Sequence, residues 1–135
     1  MLNGVFVFGS NLAGRHGKGA AKYAVLKYGA IYGQGEGRQG DSYAIPTKDG
    51  TLRTLALPEI EAGVRRFARY ASEQHHEAFL LTPIGCGLAG HQPEAIWAIL
   101  HRVKLPTNVA LLASWVNDHA MPPAAMDTPK GGGDE

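Results

Sequence analysis

Short apolar runs alternate with amphipathic stretches along this chain, and the two periods predict a regular succession of strands and helices. Val5-Phe-Val-Phe8 is β-branched or aromatic throughout, as suits a strand buried on both faces, and is expected to end at Gly9-Ser-Asn11. Lys18 to Tyr28 sets Ala21, Ala24, Val25 and Tyr28 at helical spacing before Gly29 stops it. Ala30–Tyr32 predicts a brief second strand, 33–41 an exposed loop, and Tyr43–Ile45 a strand cut short by Pro46. After an extended piece over 51–57, Pro58 opens a helix running to about residue 75. Its apolar face is Ile60, Val64, Phe67, Ala68 and Ala71, with Glu61, Arg65, Arg66, Arg69 and Glu73 mostly elsewhere. A strand at 78–81, a helix from Pro93 carrying Ile96, Ile99, Leu100 and Val103, and a strand at 109–112 complete the series.

Strands alternating with helices imply parallel βαβ units, hence a three-layer α/β/α sandwich, and the missing helix between 43 and 57 makes the sheet mixed, mostly parallel. At 135 residues the chain has room for one such domain, expected over 1–118. Residues 119–135, with three Pro, three Gly and no apolar side chain larger than Met, read as a tail unable to pack. No segment approaches the length of a bilayer span, so a soluble, cytoplasmic protein is expected, a monomer or weak homodimer without membrane contact. One cysteine excludes an internal disulfide and a Cys-rich zinc framework, and the six histidines show no ligand spacing, so neither metal nor cofactor is expected. A formal net charge of +1 excludes wholesale binding of polyanions. Residues 1–40 nonetheless carry Arg15, Lys18, Lys22, Lys27 and Arg38 against Glu36 alone.

Glycine is the outlier of the composition. Nine of the 18 crowd into residues 9–40, and Gly85, Gly87 and Gly90 form a second cluster. Such density after strands means that positive φ angles, or a ligand lying against bare backbone, are needed. Gly9-Ser-Asn-Leu-Ala-Gly-Arg-His-Gly-Lys-Gly-Ala20 ends at a predicted helix N-terminus, whose free N–H groups and positive dipole end suit phosphate. It is not a Walker A loop, because Gly19 follows Gly17-Lys18 where Ser or Thr is required. Gly35-Glu-Gly-Arg-Gln-Gly40 has the dinucleotide spacing but precedes a strand instead of a helix, which leaves a flexible loop or a flap that contacts ligand. Thr82-Pro-Ile-Gly-Cys-Gly-Leu-Ala-Gly90 again bares backbone after a buried strand. Both clusters should meet at the carboxyl rim of the sheet, where a diphosphate would fit between them.

The order of Val-Phe-Val-Phe-Gly-Ser-Asn11, the Gly-rich loop opening a helix, Ser42-Tyr-Ala-Ile-Pro-Thr47 and Ile84-Gly-Cys-Gly-Leu-Ala-Gly90 resembles a macro domain. The similarity is to the compact macro-like proteins of bacteria and tailed phages and spans roughly residues 3–117. It implies an ADP-ribose site with the diphosphate between the two loops and the distal ribose near Asn11. Carried over by position, the ligand-binding residues are Gly9, Ser10, Asn11, Gly17, Gly19 and Ala20 in the first loop and Gly85, Cys86, Gly87 and Leu88 in the second. The chain departs from the family in having no acid beside the first strand and no Asp in the first loop.

Side-chain chemistry adds two catalytic candidates and one platform. His16, the imidazole of the first loop, is open to proton transfer or to holding the loop. Asn11 is open to positioning a ribose hydroxyl or to closing an Asx turn. Trp115, after the last strand, is open to stacking on a base or to edge packing. Cys86 lacks a nucleophile's partners and reads as a packed thiol, and Trp97 as core. The expected function is binding of ADP-ribose or a close derivative, with hydrolysis of an ADP-ribosyl or ADP-ribose 1″-phosphate linkage as its catalytic form. The alternative is a module that binds ADP-ribosylated protein or nucleic acid or sequesters a nucleotide-derived signal.

Overall fold

A computed structural model describes residues 4–85 and 90–112. The elements are β1 (Val5–Asn11), α1 (Gly19–Lys27), β2 (Gly37–Gln39), β3 (Ser42–Lys48), α2 (Leu57–Glu73), β4 (Phe79–Leu81), α3 (Pro93–Val103) and β5 (Val109–Leu111). They form one five-stranded sheet in the order β2-β3-β1-β4-β5. β3, β1, β4 and β5 run parallel, and only β2 is antiparallel to its neighbour.

Period-two alternation along the strands builds the layers. Val5 and Val7 of β1, Tyr43 and Ile45 of β3, and Phe79 and Leu81 of β4 point to one face, where they meet Ile60, Val64 and Phe67 of α2 and Ile96 and Ile99 of α3. Phe6, Phe8 and Ala44 point to the other, against Ala21 and Ala24 of α1 and the following Tyr28. The expected three-layer α/β/α sandwich with a mixed, mostly parallel sheet is thus the observed one. No helix among the described residues is long and apolar enough to cross a membrane. The predicted tail, 119–135, lies outside the described residues.

Four expectations from sequence need correction. β1 does not stop at Phe8: Gly9, Ser10 and Asn11 stay in the strand, opposite Ile45, Pro46 and Lys48. β3 continues through Pro46 to Lys48, which is possible because β2 pairs only as far as Ala44 and leaves β3 an edge beyond it. No strand forms at 30–32. Residues 33–41 are not a free loop: they contain β2, and Gln39 is buried.

Two ion pairs clamp that segment to α2 and its end. Arg38 holds Glu77 at 2.8 Å and donates to the Tyr70 hydroxyl, while Arg66 holds Glu36 at 2.6 Å. The hydrogen bonds from Arg38 keep the Glu77 carboxyl below its usual range. On the opposite side of α2, Glu61 accepts from Arg102 of α3 at 2.6 Å and from Arg65 at 2.7 Å, tying the two helices together. Hydrogen bonds first from Arg102 and then from Arg65 lower its pKa from 4.5 to about 2.

A carboxyl whose folded pKa is depressed stabilises the fold above its unfolded pKa and loses that contribution as it takes up a proton. Glu61 therefore supports the helix pair at neutral pH, and its support disappears between pH 4.5 and about 2. Glu61→Gln should flatten the acid limb of the melting temperature plotted against pH in that window. A variant curve parallel to the parent's would contradict this assignment.

Candidate functional site

The sheet's carboxyl rim opens into a cleft of about 570 Å³. The ends of three adjacent parallel strands form its floor: Gly9, Ser10 and Asn11 from β1, Thr47 and Lys48 from β3, and Thr82 just after β4. Residues 17–21, the start of α1, form one wall, and Pro83, Ile84 and Gly85 another. This is where open α/β sheets hold ligands, because helix N-termini and strand ends converge there.

Each wall has a local cause. The α1 N-cap is Lys18 in extended conformation, whose side chain caps nothing, and the first turn holds no acid. The leading N–H groups of a helix have no partner inside it, so those of Gly19, Ala20 and Ala21 present the positive end of the dipole to the cleft. Arg15, Lys18 and Lys48 add cations, and no described lining residue is acidic. On the other wall, Gly85 turns at φ +74°, and a Cβ there would stand 2.7 Å from the Ile96 side chain. A side chain there would be strained at that φ and would have to push the Ile96 δ-methyl aside. Thr82 and Thr47 spend their hydroxyls on the Val7 and Ser10 carbonyls, pinning the neighbouring strand ends.

Asn11 closes the loop after β1. Its Nδ2 donates to the Arg15 carbonyl at 3.0 Å and its Oδ1 accepts from the Arg15 amide at 2.9 Å. That is the loop-closing role, and it uses one of the two hydrogens on Nδ2. His16 lies beneath the loop and is not among the cleft's lining residues. It is 2% exposed, with its ring edge-on to Phe8. Its Nε2 faces two acceptors, the Gln34 carbonyl at 3.0 Å and Gln39 Oε1 at 3.2 Å, so that nitrogen carries the hydrogen and donates it. Gln39 in turn accepts from the Ile31 amide and donates to the Gln34 and Gly37 carbonyls. Among the described residues, no three His, Cys, Asp or Glu side chains gather as a metal site needs.

The segment 33–39 is thus a buttress under the first loop. Gly33 N–H donates to the Gly14 carbonyl, and Ser10 Oγ donates to the Gly35 carbonyl. A Cβ on Gly14, which turns at φ +72°, would fall inside the Gly33–Gln34 backbone, and one on Gly35 would fall against the Asn11 and Leu12 carbonyls. Three glycines of the first cluster, Gly14, Gly33 and Gly35, serve this contact between two stretches of backbone. Gly17 is different: it is exposed, and a Cβ there would meet nothing within 4 Å.

Of the residues singled out from sequence, Gly9, Ser10, Asn11, Gly17, Gly19, Ala20 and Gly85 come together around the cleft. Cys86, Gly87, Leu88 and Trp115 lie outside the described residues. Thr47, Lys48, Leu52 and Thr82 line the cleft without having been singled out. Thr47 and Lys48 carried a readable signal, the carboxyl end of a strand, which the early stop at Pro46 hid.

No family model and no curated protein matches the chain in sequence. Solved structures do match in shape. The macrodomain of Mycobacterium tuberculosis DarG aligns with a TM-score of 0.58 at 20% identity, over 81% of this chain and 88% of that one. The fold is that of a macro domain. Thermosipho africanus DarTG, solved in complex with ADP-ribose, aligns with a TM-score of 0.58 at 18% identity, over 81% of this chain but only 37% of that one. A Bacteroides thetaiotaomicron protein of unknown function aligns with a TM-score of 0.57 at 18% identity, over 82% and 87% of the two chains. In this macro-domain fold the cleft occupies the carboxyl rim of the parallel strands.

Gly14→Ala should cost about 2–4 kcal/mol in denaturant unfolding, since it demands both a left-handed alanine and displaced backbone. Gly17→Ala, placed in open space, should change stability by less than about 1 kcal/mol. Equal losses would show that the two loops are not packed backbone to backbone.

Proposed function

We propose that this protein binds ADP-ribose or a close derivative in the rim cleft, with the diphosphate at the N-terminus of α1. The observation that carries the reading is the uncapped helix start opening onto a cleft with Arg15, Lys18 and Lys48 and, among the described residues, no acid. The macro-domain fold supports the choice of ligand, since one structural neighbour was solved with ADP-ribose. Gly9, Ser10, Asn11, Gly17, Gly19, Ala20 and Gly85 are the proposed contacts, with Asn11 offering its remaining amide hydrogen to a ribose hydroxyl. The cleft's size lies in the range that holds a nucleotide-sized ligand.

Binding ranks ahead of catalysis in this reading. The described lining offers neither a carboxylate nor an imidazole. Removal of a group from the distal ribose would therefore use a phosphate of the substrate itself as proton acceptor, with Asn11 as the positioning side chain. His16, whose Nε2–H is spent on Gln34 and Gln39, holds the loop.

Gly17→Glu tests the anion site without disturbing the fold, because the new side chain enters open space and brings a carboxylate to the helix N-terminus. Calorimetric affinity for ADP-ribose should fall by about a hundredfold or more. Lys27→Gln, at the far end of α1, makes the same unit change in net charge and should leave affinity within about threefold. Comparable effects from both would mean that long-range charge alone attracts the ligand.

A further inference from the structure

Among the described residues only Leu52 and Lys104 adopt positive φ without being glycine. Lys104 sits at the C-cap of α3, where a left-handed residue is ordinary. Leu52, at φ +69°, ends no helix. A γ-branched apolar side chain is a costly occupant of that region, and such outliers persist where the surroundings enforce them.

The turn after β3 supplies the enforcement. Asp49 Oδ1 accepts from the Thr51 amide at 2.8 Å, the Thr51 hydroxyl at 2.7 Å and the Arg53 amide at 3.0 Å. The Asp49 amide donates to the Arg53 carbonyl and the Leu52 amide to the Asp49 carbonyl, while Lys48 bridges Thr54 beneath. These bonds, led by that from the Thr51 hydroxyl, keep the Asp49 carboxyl ionised by lowering its pKa. A glycine is at hand in the turn, yet Gly50 is not in the left-handed region and Leu52 is. The result is a large apolar side chain, 47% exposed, lining the cleft along with Lys48.

We infer that Leu52 is a ligand-contacting, specificity-determining residue: an apolar lip at the β3 end of the cleft, held out by the Asp49 turn to cover the apolar face of the sugar or base attached to a diphosphate. The inference rests on the proposed ADP-ribose site and adds what that reading lacks, an apolar side-chain contact from the turn after β3. A cleft whose polar contacts come mainly from backbone and cations recognises phosphate without discriminating what is attached to it. An aliphatic side chain shielding a ribose or purine face would discriminate.

The experiment compares the parent with Leu52→Gly and Leu52→Asn, both of which tolerate left-handed backbone, and with Leu52→Met, which keeps the apolar reach. Each is titrated with ADP-ribose, AMP, ribose 5-phosphate and inorganic pyrophosphate, alongside a thermal melt. Leu52→Gly and Leu52→Asn should bind ADP-ribose about tenfold more weakly while melting no lower than the parent. Pyrophosphate affinity should not change, and Leu52→Met should stay within about threefold of the parent for ADP-ribose. A matching loss for AMP places the base at the lip, and one for ribose 5-phosphate places the ribose there; either supports the inference. Unchanged ADP-ribose affinity in the Gly and Asn variants overturns it and leaves the site itself standing, as does an equal loss for pyrophosphate, which would mark a collapsed turn. A parent protein that does not bind ADP-ribose overturns both readings.

Discussion

Everything at the cleft depends on two stretches of backbone lying against each other with no room for a side chain between them. The loop after β1 and the segment before β2 touch through Gly14, Gly33 and Gly35, and the Gly33–Gly14 hydrogen bond joins them. Beneath that contact His16 and Gln39 form a buried polar knot that satisfies the Gln34, Gly37 and Ile31 backbone groups. A loop that leaves a strand end and must deliver a helix with free leading amides has few fixed points of its own. Here they are borrowed from the buttress, which is anchored in turn to α2 and its end by the Arg38–Glu77 and Arg66–Glu36 pairs.

The chemistry of the site follows from that construction. With glycines and alanine at the start of α1, the surface offered to a ligand is amide hydrogen, preorganised by the loop and reinforced by the helix dipole. Lysines and arginine at the rim add charge without needing fixed geometry. Such a site is suited to holding an anion. The proposal puts binding ahead of catalysis, and the His16 Nε2–H is directed at Gln34 and Gln39 beneath the loop.

The layers and helices were legible in the sequence because burial writes itself into period. Of the stripe Ile60, Val64, Phe67, Ala68 and Ala71, which has one physical explanation, the structure buries all but Ala68, which is half-buried. The rim was harder to read. Gly9, Ser10 and Asn11 have the composition of a loop, yet parallel pairing with β3 carries the strand on to Asn11. Pro46 looked like a stop, but the short β2 leaves it an edge position. These two misreadings hid Thr47 and Lys48. Leu52 gave no signal at all, since its place is set by the hydrogen bonds of Asp49 and not by its own preference. The glycine count pointed correctly to close approach of bare backbone, but mostly between two parts of the chain.

The central claim, that the leading amides of α1 receive the phosphates of a nucleotide, is tested most directly by following backbone amide resonances as ADP-ribose is added to the isotopically labelled protein. The largest shifts should fall on Gly17, Gly19, Ala20 and Ala21, with smaller ones at Asn11 and Lys48 and none along the outer end of α1. Saturable binding with the helix-start amides unmoved would contradict it.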